Sequence, residues 1–144
     1  MCLKAIVIVD CLVNNRYCGK CCYDTEMILS ITDIAMLTSI GYSIREYAVF
    51  RDSFMKLRNV DGHCIFLDPH SNKCTIYQYR PLGCRLYPLV YDPYRDTVVI
   101  DRECPRWREV YRRVNLEYYR IILRRLYSEA LEAVRIYGRV VSKP

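Results

Sequence analysis

No stretch of the sequence approaches the ~20 apolar residues that a membrane-spanning helix needs. The apolar run 5–9 is interrupted by Asp10 and has no small-residue cleavage site of the secretory kind. A soluble, cytoplasmic protein with no membrane partner is therefore expected. The usual marks of catalysis are missing as well: there is no Ser/His/Asp arrangement, no phosphate-binding glycine loop and no paired-carboxylate motif. No glycine-rich turn follows a strand to build a pocket for an organic cofactor, so no reaction can be assigned. Internal repeats, low-complexity tracts and linkers are also absent. At 144 residues the chain is near the common size of one domain, and a single domain over 1–144 is expected.

Cysteine, by contrast, is abundant, with nine residues. A domain of this length buries about 68% of its unfolded surface and has no need of cross-links merely to fold. So many thiols point to ligation or to disulfides. In a reducing cytosol the thiols stay free for metal, although hyperthermophiles keep intracellular disulfides. Net charge is +6, and residues 101–144 carry 11 Lys or Arg against 6 Asp or Glu, so the basic character lies in the C-terminal segment.

Hydrophobic patterning predicts a buried strand over 3–9 and an irregular loop from Cys11 to Cys22. Ser30 with Asp33 opens a helix over 31–40 closed by Gly41, and Ser43 with Glu46 opens a second over about 44–50. Asp61-Gly62 predicts a hairpin of 54–60 with 63–67. One helical turn is expected over 74–79, a constrained loop around Cys84, and a second hairpin of 89–91 with 97–100. Pro105 and Gly138 bracket one long helix, about 106–137, whose apolar stripe faces the cysteine-rich half. The fold class is α+β: irregular cysteine-rich loops, short hairpins, two short helices and one long C-terminal helix.

Eight cysteines form the candidate metal site: Cys11, Cys18, Cys21, Cys22, Cys64, Cys74, Cys84 and Cys104. In Cys18-Gly19-Lys20-Cys21-Cys22 a C-x-x-C knuckle lets two thiolates converge on one ion, with Gly19 permitting the tight turn. Lys20 places a cation nearby to lower the thiol pKa values. Cys21 and Cys22 are adjacent, so their side chains tend to diverge and do not both chelate one ion simply. Two four-cysteine centres, one bridged polynuclear centre, or one four-cysteine centre plus disulfides all satisfy the arithmetic. Cys104-Pro105 matches the step that ends ferredoxin motifs, although the full C-x2-C-x2-C-x3-C run is absent. His63 and His70 are candidates for a mixed site, with surface positions the simpler expectation. Arg80 and Arg85 flank Cys84, either as surface ion-pairing residues or as charge compensation for thiolates. The basic, tyrosine-rich helix offers a nucleic-acid face or simply a solvated one.

Three ordered blocks resemble the YkgJ-type cysteine-cluster family, described as zinc- or iron-chelating with a C-x-x-C-x-x-C-C signature. They are Cys18-Gly19-Lys20-Cys21-Cys22, Gly62-His63-Cys64-Ile65-Phe66-Leu67, and Cys74-Thr75-Ile76-Tyr77 running into Arg80-Pro81-Leu82-Gly83-Cys84-Arg85-Leu86-Tyr87-Pro88. The likeness covers residues 11–104 and implies zinc or iron, as ions or as an iron–sulfur cluster, on Cys18, Cys21, Cys22, Cys64, Cys74, Cys84 and Cys104. The family's first cysteine falls where this chain has Asn15, and Cys11 stands in for it. Cys2 has no counterpart and is expected to be free. The resemblance implies metal binding without a reaction; a related cysteine domain in flagellin lysine N-methylases suggests only an association with modification chemistry. The alternative function is a structural-zinc module that binds nucleic acid or a protein partner through its basic C-terminal helix.

Overall fold

Residues 7–142 are described by a computed structural model. The chain turns back on itself repeatedly, and the turn residues explain where. Asn14-Asn15, Asp52-Ser53 and Asp61-Gly62 all take positive φ, as a two-residue hairpin turn with the strand twist requires. They close three antiparallel pairs: β1 (Leu12–Val13) with β2 (Arg16–Tyr17), β3 (Ala48–Arg51) with β4 (Phe54–Leu57), and β5 (Asn59–Val60) with β6 (His63–Cys64). Longer turns join β7 (Leu67–Asp68) to β8 (Lys73–Cys74), and β9 (Leu89–Asp92) to β10 (Thr97–Ile100). Each pair is a separate two-stranded sheet, and such ribbons are stable only when packed on something else.

That support comes from helices. α1 (Ile31–Ser39) begins with the expected capping box: Asp33 N donates to Ser30 Oγ at 3.1 Å, and Ser30 N donates to Asp33 Oδ2 at 2.9 Å. α2 (Ile44–Tyr47) has its own box from Ser43 and Glu46. α3 (Leu82–Leu86) carries Cys84, and α4 (Trp107–Arg113) leads to the long α5 (Leu116–Ser142). The buried face of α5 presents Leu123, Leu126, Ala130, Ala133 and Gly138, packing against α1 and the β3–β4 and β9–β10 ribbons. It joins two apolar clusters, one around Tyr47, Met55 and Phe66, the other around Leu86, Leu89 and Val110. The architecture is α+β, as expected, with 43% helix and 22% strand. No helix among the described residues is long and apolar enough to cross a membrane.

Several local expectations are corrected. Of the strand over 3–9, residues 3–6 lie outside the described residues and 7–9 form no ladder. Cys2 also lies outside them. The loop from Cys11 to Cys22 contains the β1–β2 hairpin. The helix expected over 44–50 ends at Tyr47, because the Ala-Val-Phe run pairs as β3. Residues 54–57 therefore belong to a different hairpin from 63–64. The turn over 74–79 shrinks to a 3₁₀ turn at Tyr77–Tyr79, and Cys84 sits on helix α3 rather than in a loop. The helix over 106–137 is two helices. Val114 is extended, and Asn115 Oδ1 accepts from the backbone N–H groups of Glu117 (3.0 Å) and Tyr118 (3.2 Å), capping α5. Gly138 is no stop: it is buried inside α5, and a Cβ there would touch Val134 and Phe50.

Candidate metal centre

The site is assembled where the small hairpins meet. Closing β1–β2 brings the ends of the first loop together, with Cys18 N donating to Cys11 O at 2.7 Å. Asn15 is thus a turn apex, and Cys11, at the foot of the hairpin, lines both thiol cavities described below. Next comes the knuckle. Gly19 has φ 60, and a Cβ there would lie 2.9 Å from the carbonyl oxygen of Asn72, so glycine is required for both backbone and space. The turn Lys20–Cys22 follows, held by Cys22 N donating to Gly19 O at 2.9 Å. Tyr23 Oη donates to Asn72 Oδ1 at 2.8 Å, docking the knuckle on the β7–β8 turn, and β8 supplies Cys74. β6 supplies Cys64.

α3 is fixed from below. Buried Asp33, having capped α1 with one oxygen, accepts from Leu82 N through the other at 2.9 Å. Gly83 passes Met27 so closely that a Cβ would collide with its sulfur. These contacts set the position of Cys84. Cys104 lies between β10 and α4, its carbonyl accepting from Trp107 N at 3.1 Å.

The eight thiols line two small cavities of about 40 Å³ each. Cys18 and Cys104 face one cavity; Cys22, Cys64 and Cys74 face the other. Cys11, Cys21 and Cys84 form the wall between them, together with Arg80. All eight are free thiols. Among the described residues no three His, Cys, Asp or Glu side chains are drawn into a ligating arrangement, so the sulfurs are neighbours rather than a formed coordination shell. His63 and His70 face neither cavity; His63 Nδ1 lies 2.9 Å from Cys64 O.

Electrostatics follow burial. Desolvation raises the thiols of Cys11 and Cys64 to about 11 and also raises Cys74, Cys84 and Cys104. Cys21 differs, because Cys22 hydrogen-bonds to its sulfur. That bond lowers Cys21 and raises Cys22, making Cys21 the favoured thiolate of the pair. The two adjacent side chains line the same cavity.

The cation beside the thiols is Arg80, not Lys20, which lies at the surface 3.5 Å from Glu103. Arg80 is only 4% exposed. Its Nη1 donates to Cys11 Sγ at 3.3 Å, its Nε donates to Tyr77 O at 3.0 Å, and its guanidinium stacks 3.9 Å from the Tyr77 ring centroid. Among the described residues it pairs with no carboxylate. Arg85 is buried too, but its charge acts on Asp33. The two arginines that look equivalent around Cys84 thus serve different neighbours. The sequence leaves Arg80 either at the surface or beside the thiols, and its burial is a property of the fold.

Fold and site together define a small α+β protein with a half-buried thiol cluster. The chain belongs to the CxxCxxCC family, described as "Putative zinc- or iron-chelating domain", whose model matches residues 11–107. A protein of Methanocaldococcus jannaschii, described as uncharacterized, is 39% identical over 75 residues, which is 49% of this chain and 41% of that protein. The match thus spans less than half of that relative's length. No solved structure matches.

Proposed function

We propose that the chain is a metal–thiolate protein in which Cys11, Cys18, Cys21, Cys22, Cys64, Cys74, Cys84 and Cys104 bind zinc or iron. The observation that carries this reading is Arg80, a buried guanidinium surrounded by thiols. A buried charge without a partner is costly. Four thiolates around a divalent ion leave two excess negative charges, which is the counter-charge this arginine lacks. The donor set fits: thiolate sulfur suits zinc, iron and iron–sulfur clusters. Such a group would supply either a rigid cross-link between the loops or, with iron, an electron-carrying centre. Because three cysteines face both cavities, two ions sharing thiolates fit the layout better than two independent sites.

Anaerobic purification followed by metal analysis and a visible spectrum tests this. Broad sulfur-to-iron absorption with iron and labile sulfide supports a cluster; a colourless protein with stoichiometric zinc supports the structural ion. Folded protein that takes up neither metal would overturn both.

One observation favours a second, compatible reading, in which a partner contacts α4. Arg102 and Arg108 stand 5.0 and 4.8 Å from the Trp107 ring centroid, beside exposed Tyr111. With Arg112 they line an open groove that no carboxylate lines among the described residues. The arginines of α5, in contrast, are largely ion-paired, as Arg120, Arg124, Arg125 and Arg135 illustrate. A single-stranded nucleic acid would find phosphate contacts and a stacking surface there. Salt-dependent binding of a labelled oligonucleotide, lost in Trp107→Ala with Arg108→Ala, checks it; salt-independent or unaltered binding would reject it.

A further inference from the structure

On the other side of Cys21 lies a cleft of about 800 Å³, within the usual range of small-ligand sites. Its wall is aromatic. Phe54 and Tyr91 each place a ring centroid 5.6 Å from that of Tyr127, forming a continuous three-ring surface. Tyr94, almost wholly exposed, and Tyr23 stand at the rim, and Leu123 and Leu126 of α5 supply apolar surface.

The charge lining this cleft opposes that of the chain. Four carboxylates face it, from Asp24, Glu26, Asp101 and Glu103, against one cation, Lys20. Glu103 is matched by Lys20, and Glu26 by Lys56 and Arg51. The remaining two have no ion-paired cation among the described residues. The Asp24 carboxylate makes no hydrogen bond or ion pair among the described residues. Asp101 accepts from Tyr87 Oη at 2.9 Å and from Glu103 N at 2.9 Å, both neutral donors. A negatively charged, ring-walled cleft on a protein of net charge +6 has the chemistry that attracts cations carrying apolar surface.

We propose that this cleft binds a small organic ammonium ion, its apolar body against Tyr91, Tyr127 and Phe54, and its charge answered by Asp24 and Asp101. The cation–π attraction of the rings and the unbalanced carboxylates favour the same sign, and neither favours an anion. Cys21 lines this cleft as well as both thiol cavities, so the bound ammonium would adjoin the metal centre. That adjacency rests on the metal reading; binding in the cleft does not.

The test is calorimetric titration of the purified full chain, with and without added metal, with benzyltrimethylammonium, benzyl alcohol and phenylacetate. The ammonium is expected to bind at least tenfold more tightly than the alcohol, with phenylacetate the weakest. Asp24→Asn, at an exposed carboxylate without partners, should weaken the ammonium several-fold and leave the alcohol unchanged. Tyr127→Leu keeps apolar volume and should weaken the ammonium about tenfold. Equal affinity for alcohol and ammonium, no binding, or insensitivity to both substitutions would overturn the proposal. A visible spectrum of the iron-loaded or cobalt-substituted protein that shifts on ammonium addition supports the adjacency, and one that stays fixed while heat is released rejects the adjacency alone.

Discussion

Replacing Arg80 by Met separates a charge-compensating role from a packing role. Methionine keeps much of the stem and removes the guanidinium. Two unit charges at the 3.3 Å separation of Arg80 Nη1 and Cys11 Sγ interact by about 5 kcal/mol at an effective dielectric near 20, which is a ceiling for one thiolate. Net contributions of hydrogen bonds to charged groups are about 1.5–3 kcal/mol. Arg80→Met should therefore weaken metal binding by about 2 kcal/mol, roughly thirtyfold. The metal-free protein should respond oppositely. Burial keeps the Cys11 thiol protonated at neutral pH, with its pKa raised to about 11, so the arginine there has no anion to neutralise it. Removing it should leave metal-free stability unchanged or raise it by about 1 kcal/mol. Zinc competition against a chromophoric chelator gives the first quantity, and urea unfolding under reducing, metal-free conditions gives the second. An unchanged zinc affinity combined with a loss of metal-free stability would refute the reasoning.

Gly19→Ala should cost about 2 kcal/mol in urea unfolding, since the positive φ and the approach of Asn72 O both exclude a Cβ; an unchanged midpoint would contradict that geometry. Asn115→Ala removes the α5 cap and should cost about 1 kcal/mol, with metal content unaffected. Cys21→Ser should release all metal, because Cys21 faces both cavities, whereas Cys22→Ser should release only part; equal losses would argue against shared ligation. Asp96 is held at about 2, chiefly by its hydrogen bond from Arg124 and then by that from Tyr91. Its folded pKa is depressed, so its stabilising contribution is complete above about pH 4 and disappears as pH falls through about 2. A carboxyl NMR titration midpoint near 4 would contradict this.

The two capping boxes, the Asp61-Gly62 turn, the β9–β10 hairpin and the apolar stripe of α5 were readable because each depends on local chemistry at fixed spacing. The β3–β4 turn at Asp52-Ser53 was not, since Ser53 is a poor positive-φ former beside Asp52 and the preceding capping box suggested more helix. Asn115 carried a capping signal, but the uninterrupted apolar period on both sides masked it. Gly138 looked like a stop because the close approach of Phe50 is tertiary information. In the site, the cysteines and their order were legible and their neighbours were not. The place of Cys11 on both cavities depends on the β1–β2 hairpin, which puts Asn15 at its turn. Arg80 gains its meaning from burial, and the double duty of Asp33 in capping α1 and holding α3 joins positions 49 residues apart.

Native mass spectrometry of anaerobically purified chain, paired with alkylation of the same sample before and after chelation, tests the central claim most directly. The account predicts stoichiometric zinc or iron, with the eight cysteines protected until the metal is removed and all alkylated afterwards. A folded, metal-free protein whose cysteines resist alkylation until a reductant is added would contradict it and assign the cysteines to disulfides.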